Sequence, residues 1–247
     1  MNNSSSTKKG LTTAPISRRQ DGQWREMDDT VAPEVRVNLL WPAQKPVKLW
    51  AFPKDLDELA LGFAAIEFCG AEQVPVFDEN GEEHEVAADE HVFRLAPEPA
   101  PERAETPRLS LFADDMITAM TELIEAGGRW DATGCFHRAG AYDPASGEFA
   151  RIVEDIGRHN CIDRLAGWAV KNSRDLKSLV LVITARATAS LATKAAAAGF
   201  PALVSRSAVT TAAVDAAEKA GMTLLGFTRD RENRTSVFVD TGGLVAK

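Results

Sequence analysis

Cysteine is scarce in this chain. Its 247 residues hold three, Cys69, Cys135 and Cys161, too few and too scattered for a disulfide framework, and no two form a C-x-x-C pair. Long apolar runs are also lacking: Leu179–Ile183 falls far short of the ~20 residues that a membrane span needs. Met1–Lys9 carries positive charge with no apolar stretch behind it, so no signal peptide is expected and the expected location is cytoplasmic. Positive charge is not in excess, since 28 Lys and Arg stand against 36 Asp and Glu for a net charge of −8. Such a field does not recruit polyanions, so neither nucleic acid nor an anionic membrane is an expected partner. No G-x-G-x-x-G or Walker pattern occurs, which leaves Rossmann and P-loop nucleotide sites without support. What remains is ordinary globular composition, 45% apolar and 26% charged, with length for one or two domains and a real core.

Residues 1–30 are polar and aperiodic, and they read as a disordered tail. Alternating apolar residues then predict strands at Val35–Leu39 and Val47–Ala51. Asp55 with Glu58 has the capping-box spacing, opening a helix with a Leu56, Leu59, Phe63 and Ile66 stripe. Asn80-Gly81 predicts a hairpin between Val74–Phe77 and Glu83–Val86. These elements make a small α+β N-terminal subdomain over residues 31–96. Pro97, Pro99, Pro101 and Pro107 mark a linker over residues 97–108. From 109 to 247 the pattern becomes α/β, with helices near 113–126, 160–171, 187–198 and 210–220 and strands at 179–184, 202–205, 223–227 and 235–239. Strands alternating with helices predict βαβ units in a layered domain.

The densest polar cluster is Glu154-Asp155-Ile156-Gly157-Arg158-His159-Asn160. Two readings stand: a binding or catalytic turn, with Gly157 admitting an unusual backbone angle, or a solvated turn with a capped helix. Thr133-Gly134-Cys135-Phe136-His137-Arg138-Ala139 is a second candidate, against the reading of His137 and Cys135 as satisfied core residues. Zinc-dependent deaminase chemistry is excluded, because Ala139 stands two residues after His137 and no Pro-Cys-x-x-Cys follows. Three loops sit where α/β sheets bind ligands, at Thr184–Thr188, Ser205–Thr210 and Phe227–Arg231. They carry Arg186, Thr188, Ser207, Thr210, Thr228 and Arg229, two of them lie beside helix N-termini, and together they point to an anionic ligand.

With those residues in view, the sequence resembles the FdhD/NarQ formate dehydrogenase accessory proteins. Leu59-Ala60-Leu61-Gly62-Phe63 with Glu67, Thr133-Gly134-x-x-His137-x-Ala139 and Ala198-Gly199-x-Pro201 match family motifs. Ser207-Ala208-x-Thr210, Thr223-Leu224-x-Gly226-Phe227-x-Arg229 and, most specifically, Glu154–Asn160 with Asp163 match as well. The resemblance implies a three-layer, cytidine-deaminase-like α/β domain without zinc, and homodimers. It further implies a role in maturing molybdenum- or tungsten-dependent formate dehydrogenase, with the enzyme's catalytic subunit and a cysteine desulfurase as partners. The client would be bis-molybdopterin guanine dinucleotide. Its implied pocket takes in Phe227, Thr228, Arg229, Asp230, Arg231 and Glu232, with Arg186, Thr188, Ser207, Thr210, His137, Arg158, His159 and Asn160. Family members carry sulfur as a persulfide on a C-x-x-C loop, which should fall near Leu109–Asp115; this chain has no sulfur there. Thr188-x-Ser190 replaces the family's Ser-x-Glu, Val209 replaces a Pro, and Arg231 and Arg234 compete for a second arginine. Cys135 and Cys161 are then the candidate carriers, Cys161 beside Arg158, His159 and a helix start that would acidify a thiol, against the favoured reading of each as a small buried apolar residue. The competing reading is a paralogue that binds cofactor or partner without transferring sulfur.

Overall fold

The computed structural model describes residues 9–70, 72–78, 84–87, 89–101, 109–229 and 232–246. Its centre is a six-stranded mixed sheet. The strands are β9 (His137–Asp143), β10 (Glu148–Asp155), β11 (Val180–Ile183), β12 (Ala202–Ser205), β13 (Thr223–Arg229) and β14 (Arg234–Val239), in the order β10-β9-β11-β12-β13-β14. β11, β12 and β13 run parallel, and the other neighbours pair antiparallel. One face carries Leu181, Ile183, Leu203 and Leu224 against α4 (Arg158–Lys171), α5 (Ala189–Ala197) and α6 (Thr211–Ala220). The other face presents Tyr142, Val180, Val182, Val204 and Leu225 to Met116, Met120 and Leu123 of α2 (Ala113–Glu125). Fully apolar parallel strands require cover on both faces, and these helices supply it.

The N-terminal unit pairs β3 (Val35–Leu40) with β4 (Val47–Ala51) and with β7 (Glu90–Pro99). β5 (Gln73–Phe77) and β6 (His84–Ala87) both add to β7. The turn expected at Asn80-Gly81 lies outside the described residues, and its flanking strands pair with β7. α1 (Leu56–Glu67) covers this sheet through Leu56, Leu59, Ala60 and Ala64 and lies on α4. There a Cβ on Gly62 would stand 1.7 Å from the Asp163 carbonyl oxygen, and one on Gly167 1.7 Å from that of Glu58. Only glycine permits this backbone contact. The remaining elements are α3 (Arg129–Thr133) and β8 (Leu111–Phe112), which pairs in parallel with β15 (Val245–Ala246).

Three expectations are corrected. The stretch read as a disordered tail forms, over β1 (Thr12–Gln20) and β2 (Gln23–Val31), an antiparallel ribbon. Its turn is Asp21-Gly22 with φ of 52° and 81°, the positive pair that a type I′ hairpin turn requires. The linker read from prolines begins as strand. Pro97 lies opposite Pro75 in the β5–β7 pair, a position where antiparallel partners exchange no N–H, so neither missing donor breaks the ladder; residues 102–108 lie outside the described set. Finally, Asp55 makes no side-chain cap. It sits in the left-handed region at φ 46°, and its carboxylate joins Glu58 around Arg151, at 3.3 and 3.0 Å.

Candidate functional site

Main-chain hydrogen bonds draw the loops beyond the carboxyl ends of β11, β12 and β13 into one shelf. Ala187 N–H donates to the Ala208 carbonyl at 3.0 Å, Thr210 N–H to Ala187 at 3.1 Å, and Arg206 N–H to Ile183 at 3.0 Å. Phe227 N–H donates to the Ser207 carbonyl at 3.0 Å, joining the third loop to the second. Thr210 caps α6, its hydroxyl accepting from Ala213 N–H at 3.2 Å. Thr188 leads into α5 without a side-chain cap; its hydroxyl instead bonds Ser190 at 3.2 Å, and Ser190 bonds His159 Nε2 at 3.0 Å.

Beside the shelf lies a cavity of about 310 Å³, lined by Ile124, Trp130, Cys135, His137, Arg138, Thr184 and Arg206, among others. The start of β9 and the ends of β11 and β12 meet here. Arg138, only 4% exposed, forms the back wall. It donates to Glu154 at 2.9 Å, to Asp131 at 3.2 Å and to the Leu123 and Ile124 carbonyls at 3.2 and 2.7 Å, which caps the end of α2. Burial, with Arg158 next, holds the His137 imidazole below its ordinary pKa; burial, Arg158 and Lys194 do the same for His159. Both rings are therefore neutral near pH 7. Among the described residues no carboxylate pairs with Arg158, Arg186 or Arg206, all three exposed. At the far end of the shelf Phe227 takes φ 51°, rare for a bulky residue, and Arg229 and Arg234 lie over its ring at 5.6 and 5.1 Å. Glu232 pairs with both arginines, at 2.9 and 3.1 Å. Arg234 is one of the two candidates for a second arginine; the other, Arg231, lies with Asp230 outside the described residues. Thr228, expected in the pocket, is fully buried, its hydroxyl bonded to that of Thr235 at 2.8 Å.

The Glu154–Asp163 motif is mostly framework. Asp155, with no exposed surface, accepts from Gly157 N–H at 2.8 Å, Asn160 at 2.9 Å and Arg164 at 2.8 and 2.6 Å. Asn160 also donates to the Trp50 carbonyl, and Arg164 to the Phe52, Lys54 and Asp55 carbonyls, fastening the N-terminal unit to the sheet. Gly157 has ordinary extended angles, φ −86° and ψ 117°; glycine is needed for space, since a Cβ would meet Asn160 Nδ2 at 2.8 Å. Of the two readings of Cys161, the buried apolar residue holds and the acidified thiol does not. The residue is 1% exposed, and burial pushes its thiol well up, with Asp155 adding to the rise. Cys135 is exposed at the cavity. Sequence reasoning missed Trp130, which carries no motif and is placed by α3. The Leu109–Asp115 segment enters β8 and the start of α2, about 17 Å along that helix from Ile124 at the cavity.

Comparison with known proteins bears directly on this arrangement. The model of the FdhD/NarQ family matches residues 84–243. Sulfur carrier protein FdhD of Chromobacterium violaceum is 31% identical over 90% of this chain and 94% of its own length. The chain belongs to the FdhD/NarQ family. The protein of the same name from Geobacillus kaustophilus is 29% identical over 87% of this chain and 90% of its own. A solved structure from Desulfotalea psychrophila, described as a formate dehydrogenase accessory protein, shares the fold with a TM-score of 0.72 at 21% identity, over 92% of this chain and 96% of that one. Among the described residues no helix is long and apolar enough to cross a membrane.

Proposed function

We propose that this family member is a formate dehydrogenase accessory protein that holds the guanine-dinucleotide end of bis-molybdopterin guanine dinucleotide, carrying molybdenum or tungsten, on the β11–β13 shelf. The observation that carries the reading is the shelf itself, with Arg186, Arg206 and Arg158 free of carboxylate partners among the described residues, beside a cavity at the sheet's carboxyl end. Planar guanidinium groups there match phosphate oxygens. Names borne by its relatives support the accessory role. The partners are the catalytic subunit of formate dehydrogenase and a cysteine desulfurase. We place the chain in the cytoplasm as a homodimer, its sheet domain layered in the manner of a cytidine deaminase. With no C-x-x-C pair, it holds the cofactor rather than carrying sulfur by the family's route. Calorimetry should find GDP bound in preference to ADP, and Arg186→Ala with Arg229→Ala should weaken GDP at least tenfold. Unchanged affinity in that variant would remove the shelf as the binding site.

One observation favours a second reading, in which the chain does carry sulfur. Cys135 is exposed on the cavity wall while Cys161 is sealed in the core. A desulfurase persulfide would then pass its outer sulfur to the Cys135 thiol, regenerating its own. Intact mass after desulfurase treatment decides: one added sulfur, lost in Cys135→Ser, establishes this route, and no gain leaves the holding role.

A further inference from the structure

We infer that the β1–β2 ribbon is a docking arm that grips α2 of a second copy of this chain. The inference rests on the homodimer of the reading above but not on its cofactor. Nine residues per strand make the ribbon about 30 Å long, and it meets the body at α3 through β2. Every residue from 19 to 28 is exposed, including Trp24 at 67%. A two-stranded ribbon alone in water is marginal, so it calls for a surface to lie on.

The chemistry of the arm names that surface. Arg18 lies opposite Arg25 and Arg19 opposite Trp24 near the tip. Arg18 is paired with Asp29, whereas Arg19 and Arg25 have no carboxylate partner among the described residues. The arm therefore ends in two free guanidinium groups and an indole. The matching feature is on α2, whose outer side carries Asp114, Asp115, Glu122 and Glu125, all exposed and with no cation paired to them among the described residues. Asp115 and Glu122 are seven residues apart and so share a face, and Phe112, 55% exposed, stands at the helix start. Asp114 and Asp115 lie in the first turn, where the helix N-terminus favours them, but Glu122 and Glu125 at i,i+3 repel one another with no cation to offset them among the described residues. A cationic, aromatic arm relieves them, and a two-fold pair makes the contact twice.

Sedimentation of the full chain at low salt tests the arm. Wild type should form a dimer that weakens as salt rises to about 0.5 M, because the screening length shrinks. Arg19→Glu with Arg25→Glu should weaken self-association at least tenfold, and adding Asp115→Arg with Glu122→Arg should restore it. All four positions are exposed, so circular dichroism and melting should remain those of wild type. A monomeric wild type, a dimer indifferent to the first pair of changes, or no recovery in the fourfold variant would each overturn the inference. GDP calorimetry on the same proteins reads the cofactor site separately, so each reading fails on its own measurement.

Discussion

Replacing Arg164 with alanine should be among the most damaging single changes in the chain. The side chain is 3% exposed, and its partner Asp155 is wholly buried. Removing the guanidinium strands a carboxylate without solvent and withdraws donors from the Phe52, Lys54 and Asp55 carbonyls. Breaking a buried ion pair on one side costs about 3–5 kcal/mol, and most of that is the charge left behind. A chain of this length loses about 2–4 °C of Tm per kcal/mol, so Arg164→Ala should melt roughly 10–15 °C below wild type by calorimetry. Asp155→Asn in the Arg164→Ala background removes the stranded carboxylate and should recover part of the loss, about 2 kcal/mol. By contrast Arg174→Ala, which breaks an exposed pair at 3.9 Å, should move Tm by no more than about 2 °C. An Arg164→Ala protein melting within about 3 °C of wild type would refute the reasoning, and so would a double variant less stable than the single one.

Thiol alkylation followed by intact mass should modify Cys135 first. Cys161 should react only on unfolding, and Cys69, its thiol pushed up to about 11 by burial, should lag. Rapid labelling of Cys161 in the folded chain would contradict its burial. Asp163, pushed up to about 7 by burial despite Lys194 at 2.8 Å, binds its proton more tightly folded than unfolded. Its contribution is therefore full below its ordinary pKa of 3.8 and is lost as pH rises through about 7. Denaturant titrations should show Asp163→Asn gaining on wild type between pH 4 and 7, and a constant difference would count against the shift. Gly167→Ala, which drives a Cβ into the Glu58 carbonyl, should lower Tm by at least about 5 °C; a neutral result would mean the helices can part.

How far the sequence could be read depended on the kind of signal each element carries. The strands β11 and β12 and the helices α5 and α6 were legible nearly to the residue, because buried parallel strands are continuous apolar runs and Thr210 and Gly221 punctuate α6. The ribbon was not, since it buries no core and its strands are polar; the overlooked signal was Asp21-Gly22. Prolines 97 and 99 misled because their meaning depends on the partner strand, which sequence spacing does not reveal. At the site, the three loops could be placed from the strand ends. The cavity was legible only in part: the Thr133–Ala139 segment supplies Cys135, His137 and Arg138, but Trp130 on α3 and the end of α2, whose carbonyls Arg138 bonds, join it only by tertiary contacts. The division of the Glu154–Asp163 motif into framework and site was equally hidden. A polar side chain looks the same in sequence whether it meets solvent or, like Asp155, four buried donors.

The stitching of the shelf bears on what may vary in it without loss. Residue 187 bonds both ways across to the second loop, giving its N–H to the 208 carbonyl and taking one from the 210 N–H. Residue 209 sits between these bonds and contributes no donor to them. A residue without an N–H can therefore occupy position 209 as readily as one that has it, and Val209 here in place of the family's proline leaves the seam intact. The outline of the shelf belongs to the main chain, so a changed side chain at 209 leaves in place the frame that presents its hydroxyl and guanidinium groups.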